Sequence, residues 1–392
     1  MENFNKKMKD ALENQDQATA AKLAKEHLEK LEKVPLTIAV TGESGSGKST
    51  FVNALRGLKN YDEGAAPTGP VETTMDPVEY DHPNHPSVKI WDLPGIGSPS
   101  FKADQYLETV GFEKFDFFFI ISDNRFREND AKLAEEIQKM KKKFYFVRSK
   151  IDHNIEDEKR NKKNFNEEET LSQIRQSCIK GLEQLEIESP KVFLISSFDL
   201  NLYDFGDLWE TLECELPEHK QEVLKLALPN ISLEVINKKK EVLKNKITLY
   251  ALQSAAGAAV PIPGSSVMVD LTIIVAFVQE CQNALGLTEH CLKSFSEATG
   301  VPMTELKKEI KSPLTGVQVT AELVMLVLRG CITVAGLMAL EEGTKYVPIL
   351  GIPVAMGLSA LSTSLALKYL LETLGEDAQR VFTRGMGLNS DV

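Results

Sequence analysis

The 392-residue chain has little of what marks several large protein classes. Its five cysteines (Cys178, Cys214, Cys281, Cys291, Cys331) are odd in number, scattered and nowhere at C-x-x-C spacing. That pattern excludes a disulfide scaffold and fits reduced, mostly buried thiols. His290 beside Cys291 lacks the companions a structural zinc needs. Basic charge is in deficit, with 45 Lys and Arg against 57 Asp and Glu and a formal net charge of −12. Such a surface cannot release counterions from a polyanion, so nucleic acid is not an expected partner. The start, Met1-Glu2-Asn3-Phe4, has neither a basic-then-apolar signal segment nor a glycine for myristoylation, and Asn389-Ser390-Asp391-Val392 has no prenylation cysteine. A cytosolic protein is expected.

What is present suffices for about two or three domains with real cores, since 42% of residues are hydrophobic. From Asp16 to Lys33, Ala20, Leu23, Ala24, His27 or Leu28, and Leu31 recur at helical spacing among lysines and glutamates, an amphipathic helix. Between Val34 and Leu216, β-prone apolar runs (36–40, 88–91, 115–121, 144–147, 191–195) alternate with helical patterns, which predicts a mostly parallel sheet with helices on both faces. A connecting helix is expected over Ala131–Lys142, capped at Asn129 or Asp130. The charged run Glu156–Asn164 reads as a solvated insertion loop. After Leu216-Pro217 strand-like runs largely vanish and prolines punctuate helical segments. The expected organisation is an N-terminal helical segment over 1–34, an α/β domain over 35–216, and an all-helical domain over 217–392 that the N-terminal segment completes. Two stretches there, Ile247–Val269 and Tyr346–Leu367, carry no charge and break at Pro/Gly turns, as apolar helical hairpins would. They serve either as a buried helical core or as a membrane-docking element, prolines and serines interrupting a full span. Ala321–Leu340 carries Glu322 and Arg329 and reads as core.

The chemistry is concentrated in the α/β part. Gly42-Glu43-Ser44-Gly45-Ser46-Gly47-Lys48-Ser49, followed by Thr50, fits G-x-x-x-x-G-K-[ST] directly after an apolar strand. Its glycines let amide hydrogens surround a phosphate, Lys48 neutralises charge, and the Ser49 hydroxyl suits Mg²⁺ at a helix start. Asp92-Leu93-Pro94-Gly95 has the D-x-x-G form, with Asp92 placed for Mg²⁺ and Gly95 for a terminal phosphate. Ser149-Lys150-Ile151-Asp152 is a variant of [NT]-K-x-D, in which a carboxylate takes two hydrogen bonds from guanine that adenine cannot offer. Ser196-Ser197, after the last strand and beside Phe198, can present amide hydrogens to the base oxygen. Thr74, then Thr73, then Thr68 are the candidates for a Mg²⁺-binding switch threonine. The site therefore predicts GTP and GDP as ligands with Mg²⁺ as cofactor, held by Ser49, Thr74 and Asp92. Lys48, Glu43 and Thr74 are the catalytic candidates.

Ile96 stands where small GTPases place a water-positioning glutamine, so slow hydrolysis is expected until another group is delivered. Glu43, an acid inside a phosphate loop, is a candidate to act across a self-associated pair. Arg125 and Arg127 either add positive charge at that face or, as is more usual for such arginines, are solvated or paired with acids.

Gly42–Ser49, Trp91-Asp92-Leu93-Pro94-Gly95-Ile96-Gly97, the run Tyr106–Ile121 and Lys142–Asp152 resemble the immunity-related, interferon-inducible GTPases. The resemblance implies an α/β P-loop GTPase domain flanked by helices from both termini. It further implies dynamin-like, nucleotide-dependent homo-oligomers and action at intracellular membranes, such as vacuoles around microbes, in cell-autonomous innate immunity. Lys48 places the chain in the lysine rather than the methionine group of that family. Glu2 departs from members with a myristoylated glycine, and Ser149 replaces the usual threonine while keeping a hydroxyl. The rival readings are a nucleotide-gated scaffold with little hydrolysis, and a P-loop ATPase or small-molecule kinase, against which Ser149–Asp152 argues.

Overall fold

The computed structural model describes residues 2–69, 73–96, 111–257, 265–328 and 357–388. The chain divides into two compact units, 34–231 and 1–33 with 232–392.

The first unit is built on a six-stranded sheet of order β2-β3-β1-β4-β5-β6. Its strands are β1 (Leu36–Gly42), β2 (Val78–His82), β3 (His85–Asp92), β4 (Phe117–Ser122), β5 (Lys143–Arg148) and β6 (Val192–Leu194). All pairs are parallel except the β2–β3 hairpin. The central strands have almost no polar side: every residue of β4 is buried, as is all of β1 except Thr37, as strands covered on both faces require. Val40 pairs with Asp92, Gly42 with Ile121, and Ser122 with Arg148. The carboxyl ends of four strands thus lie level, and the motif-bearing loops leave from that one edge, where open α/β sheets bind ligands.

The helices here are α3 (Lys48–Leu55), α4 (Glu128–Lys139), α5 (Ile151–Asn161), α6 (Glu167–Glu183), α7 (Phe205–Glu215) and α8 (Glu218–Ala227). Two expectations need correction. The charged run 156–164 is not a loop through most of its length: it continues α5, because Ile151 and Ile155, one turn apart, are buried while Glu156–Arg160 and Glu158–Lys162 pair along the outside. The helix expected from Ala131 begins at Glu128, with Arg127 at its cap and Asp130 inside the first turn. Edge strand β2 lay outside the expected apolar runs, and three of its five residues are exposed. The unit also runs on past Leu216 to Ile231. Helix α8 packs on β1 and β3, and the Lys220 ammonium reaches Asp116 Oδ1 at 2.5 Å while Asp116 Oδ2 accepts from the Thr37 amide at 2.9 Å.

The second unit contains α1 (Glu2–Glu13), α2 (Gln17–Glu32), α9 (Leu233–Gly257), α10 (Ser265–Ala284), α11 (Glu289–Thr299), α12 (Met303–Lys308) and α13 (Gly357–Gly385). Helix α2 starts at Asp16, whose carboxylate accepts from the Thr19 amide at 3.0 Å, and packs against α9. Helix α1 lay outside the amphipathic pattern recognised from Asp16 onward. Between α9 and α10, Glu280 accepts from Lys246 and, at 2.7 Å, from the Tyr250 hydroxyl, while burial beside Glu280 raises the Glu32 carboxyl. Asp377, fully buried on α13, accepts from the Lys311 and Ser312 amides, both at 2.9 Å.

The first apolar hairpin lies in α9 and α10, where Ile247, Tyr250, Ala251 and Leu252 are buried; its turn, 258–264, lies outside the described residues, as do 329–356, with the first half of the second hairpin. Leu271–Thr299 is apolar and long enough by composition to cross a membrane, but 44% of its most apolar window is buried and the stretch is split between α10 and α11.

Candidate functional site

At the end of β1 the backbone turns at Gly42 with φ 144°, where a Cβ would sit 2.1 Å from the Ile121 carbonyl oxygen. Only glycine fits. The next segment bridges to the D-x-x-G loop: the Ile96 amide donates to the Gly42 carbonyl at 3.1 Å, and the Ser44 amide to the Ile96 carbonyl at 3.4 Å. Gly95 lies against this loop so closely that a Cβ would fall 2.7 Å from Ser44 Cα. Gly47 caps α3 from the left-handed region at φ 96°, leaving the first amides of α3 without side-chain caps, an anion-binding arrangement. Lys48 is buried, and its ammonium donates to the Glu43 carbonyl at 2.8 Å.

Ser49, Thr74 and Asp92, separated in sequence, come together. Asp92 Oδ2 accepts from Ser49 Oγ at 2.6 Å and from Thr74 Oγ1 at 2.9 Å, and the two hydroxyls are 3.4 Å apart. Thr74 is buried, whereas Thr73 and Thr68 are exposed and Thr73 donates to the Pro67 carbonyl at 3.0 Å. Among the described residues Asp92 Oδ1 is buried without a hydrogen-bond partner. Burial raises the Asp92 carboxyl above its ordinary value, against the pull of Ser49, Lys48 and Thr74. An unsatisfied carboxylate oxygen beside two hydroxyls is a hard-oxygen set that fits Mg²⁺ completed by phosphate and water. No cluster of three His, Cys, Asp or Glu side chains competes for a metal among the described residues.

The Ser149–Asp152 loop after β5 is fastened to the glycine-rich loop after β1. Ser149 Oγ donates to the Ser46 carbonyl at 2.6 Å, and Ser149 is 1% exposed. Lys150 sits in the left-handed region at φ 54°, held there by its ammonium, which donates to the Gly45 carbonyl at 2.7 Å and pairs with Asp123 at 2.8 Å. Asp152, half-buried in the first turn of α5, makes no hydrogen bond or ion pair among the described residues. The Ile151 amide donates to the Ile195 carbonyl at 3.3 Å, which sets Ser196 and Ser197 beside this loop. Ser196 is buried and accepts from the Asp199 amide at 3.3 Å; Ser197 is half-buried. Thr50 is half-buried one position into α3 beyond Ser49.

Every candidate thus lies at the carboxyl edge of the sheet or at the start of the helix after it. The Interferon-inducible GTPase (IIGP) family model matches residues 1–384. The chain belongs to the interferon-inducible GTPase family. Interferon-gamma-inducible GTPase 10 of Mus musculus is 39% identical over 363 residues, 92% of this chain and 84% of that protein. T-cell-specific guanine nucleotide triphosphate-binding protein 2 of Mus musculus is 41% identical over 291 residues, covering 73% and 69%. Among solved structures, Toc33 from Arabidopsis thaliana in complex with Mg²⁺ and GMPPNP aligns with a TM-score of 0.32 and 16% identity, covering 45% of this chain and 77% of that one.

Two features of this interferon-inducible GTPase add to the sequence reading. Ile96, at the glutamine place, is 3% exposed and packed in the core with Leu93, Phe118 and Phe146. Glu43 is not a free acid: its Oε2 pairs with the Arg127 guanidinium and its Oε1 accepts from Asn129 Nδ2 at 2.8 Å. Arg125 is exposed. Asp123 was not singled out from sequence, and Asn129 and Asp130 were read only as helix caps. The available signal was their position just past the carboxyl end of β4.

Proposed function

We propose that this chain is a Mg²⁺-dependent GTP phosphohydrolase whose turnover is stimulated by self-association. The observation that carries it is the Ser149–Ser46 hydrogen bond next to Asp152, which makes one pocket of a phosphate cradle and a carboxylate able to read guanine. Lys48 neutralises phosphate charge, Ser49, Thr74 and Asp92 hold the cation, and Asp152 selects the base. When bound, Mg²⁺ supplies charge stabilisation for the leaving phosphate oxygens. Burial of Ile96 leaves no water-positioning side chain at that place, so a second copy completing the site is the route to faster hydrolysis.

At the level of the cell, the reading is a dynamin-like oligomer in the cytoplasm, peripherally attached to intracellular membranes and acting in cell-autonomous innate immunity. Family membership supports it, as do apolar side chains presented to solvent on the helical unit, Leu326 at 64%, Leu365 at 50% and Tyr369 at 45% exposed.

Calorimetry with GTP and ATP, followed by phosphate release across protein concentration, tests the biochemical reading. GTP binding well above ATP and specific activity rising with concentration are expected. Equal binding of the two nucleotides would reject the base assignment, and flat specific activity the stimulation. Flotation with liposomes in GTP, GDP and no nucleotide tests membrane attachment; absence from the floating fraction in all three rejects it. The buried Ile96 also favours a second reading, a nucleotide-gated scaffold with little turnover, which multiple-turnover phosphate release separates from the first.

A further inference from the structure

An acid inside a phosphate loop is a liability. Glu43 stands in the segment whose amides and lysine must hold several negative charges, and an unneutralised carboxylate there opposes binding. Both carboxylate oxygens are nevertheless committed to the start of α4: Oε2 to the Arg127 guanidinium and Oε1 to Asn129 Nδ2 at 2.8 Å. The Glu43 side chain is 18% exposed. The Arg127 amide donates to Asp130 Oδ2 at 3.0 Å, and Ser122 Oγ, at the end of β4, donates to the same oxygen at 3.1 Å. Asp130 thereby fixes the first turn of α4, so Arg127 and Asn129 are both presented toward the phosphate loop. The positive end of the α4 dipole adds to the same effect.

We propose that the amino-terminal turn of α4 is an electrostatic clamp, in which Arg127 and Asn129 hold and neutralise Glu43 so that the phosphate loop accepts a nucleoside triphosphate. The proposal rests on the nucleotide-binding reading above. Arg127 and Asn129 are positioning residues that act through Glu43. The clamp also sets a condition on any role of Glu43 toward a second copy: that role requires the Arg127 pair to open.

The experiment measures the affinities of GTP, GDP and guanosine, with Mg²⁺, in full-length wild type, Arg127→Ala, Asn129→Ala, Glu43→Gln and the Arg127→Ala/Glu43→Gln double variant. Arg127→Ala is expected to weaken GTP about tenfold, GDP less, and guanosine not at all. Asn129→Ala should shift GTP in the same direction by a smaller factor. Glu43→Gln removes the charge the clamp exists to balance, so the double variant should recover GTP affinity to within about twofold of wild type. Wild-type affinity in Arg127→Ala overturns the clamp, and so does a loss that Glu43→Gln fails to restore, which would mean that Arg127 meets the phosphates itself. Equal loss for guanosine overturns it in favour of a general structural role. Should Arg127→Ala fail to fold, Arg127→Lys together with Asn129→Ala carries the same comparison. Wild type that binds no GTP would instead overturn the reading of the site, a different and separable result.

Discussion

Ser149 Oγ lies 2.6 Å from the Ser46 carbonyl, which it meets as a hydrogen-bond donor. One hydroxyl thus ties the loop after β5 to the glycine-rich loop after β1, 103 positions earlier in the chain. Ser149→Ala should weaken GTP and GDP alike by about tenfold, since a buried hydrogen bond contributes about 1 kcal/mol and its loss leaves a carbonyl unpaired. Ser149→Thr should bind as wild type, because the hydroxyl is kept. Titration with a fluorescent guanine nucleotide measures both.

Among the described residues Asp152 makes no hydrogen bond or ion pair. Asp152→Asn should lower GTP affinity about 100-fold and raise that for xanthosine triphosphate, because the amide complements xanthine's oxygen where the carboxylate complemented guanine's hydrogens. Competition calorimetry with the two nucleotides checks the exchange; undiminished GTP binding would remove the base-reading role.

Ile96 is part of the core. Ile96→Gln should therefore not accelerate hydrolysis, and it should destabilise the protein by about 2 kcal/mol through burial of an unpaired amide and loss of apolar contact. Urea denaturation and single-turnover phosphate release together decide this, and faster release would show that the side chain does reach the phosphate side.

Burial raises the Asp130 carboxyl from 3.8 to about 6, and Glu43 adds to that rise against the opposing pull of the Arg127 amide and the Ser122 hydroxyl. The folded protein then holds this proton more tightly than the unfolded chain. Its contribution to stability is complete below about pH 4 and is lost as the pH rises through about 6. Relative to Asp130→Asn, wild type should lose about 3 kcal/mol across that window. Denaturant midpoints of both proteins at pH 4 and pH 7.5 provide the comparison, and parallel profiles would contradict it.

The Asp92 carboxyl is likewise raised by burial, against Ser49, Lys48 and Thr74, so its ionisation costs stability until a cation is present. Chelation of Mg²⁺ should lower wild-type GTP affinity at least about tenfold, with a much smaller effect on Asp92→Asn, which has lost the anionic ligand. Thermal denaturation with and without EDTA, at fixed GTP, follows the same difference.

The sequence by itself determined the phosphate loop, the two acidic loops and the alternation of elements between them, because each is a local pattern: glycines at fixed offsets, or a carboxylate just past an apolar run whose burial makes it a strand. The full covering of β1 and β4 is visible in Leu36–Val40 and Phe117–Ile121 before any fold is known. Tertiary structure alone decided the rest. Strand β2 exists because β3 offers it a hydrogen-bonding edge, and its three exposed residues carry no signal of that. Thr74 was ranked ahead of Thr73 and Thr68, but only folding showed that it alone of the three is buried against Asp92. The pairing of Glu43 with Arg127, 84 positions apart, follows from β1 lying beside β4. Charges on separate loops have no periodicity to reveal them; adjacency of strand ends in the sheet brings them within reach.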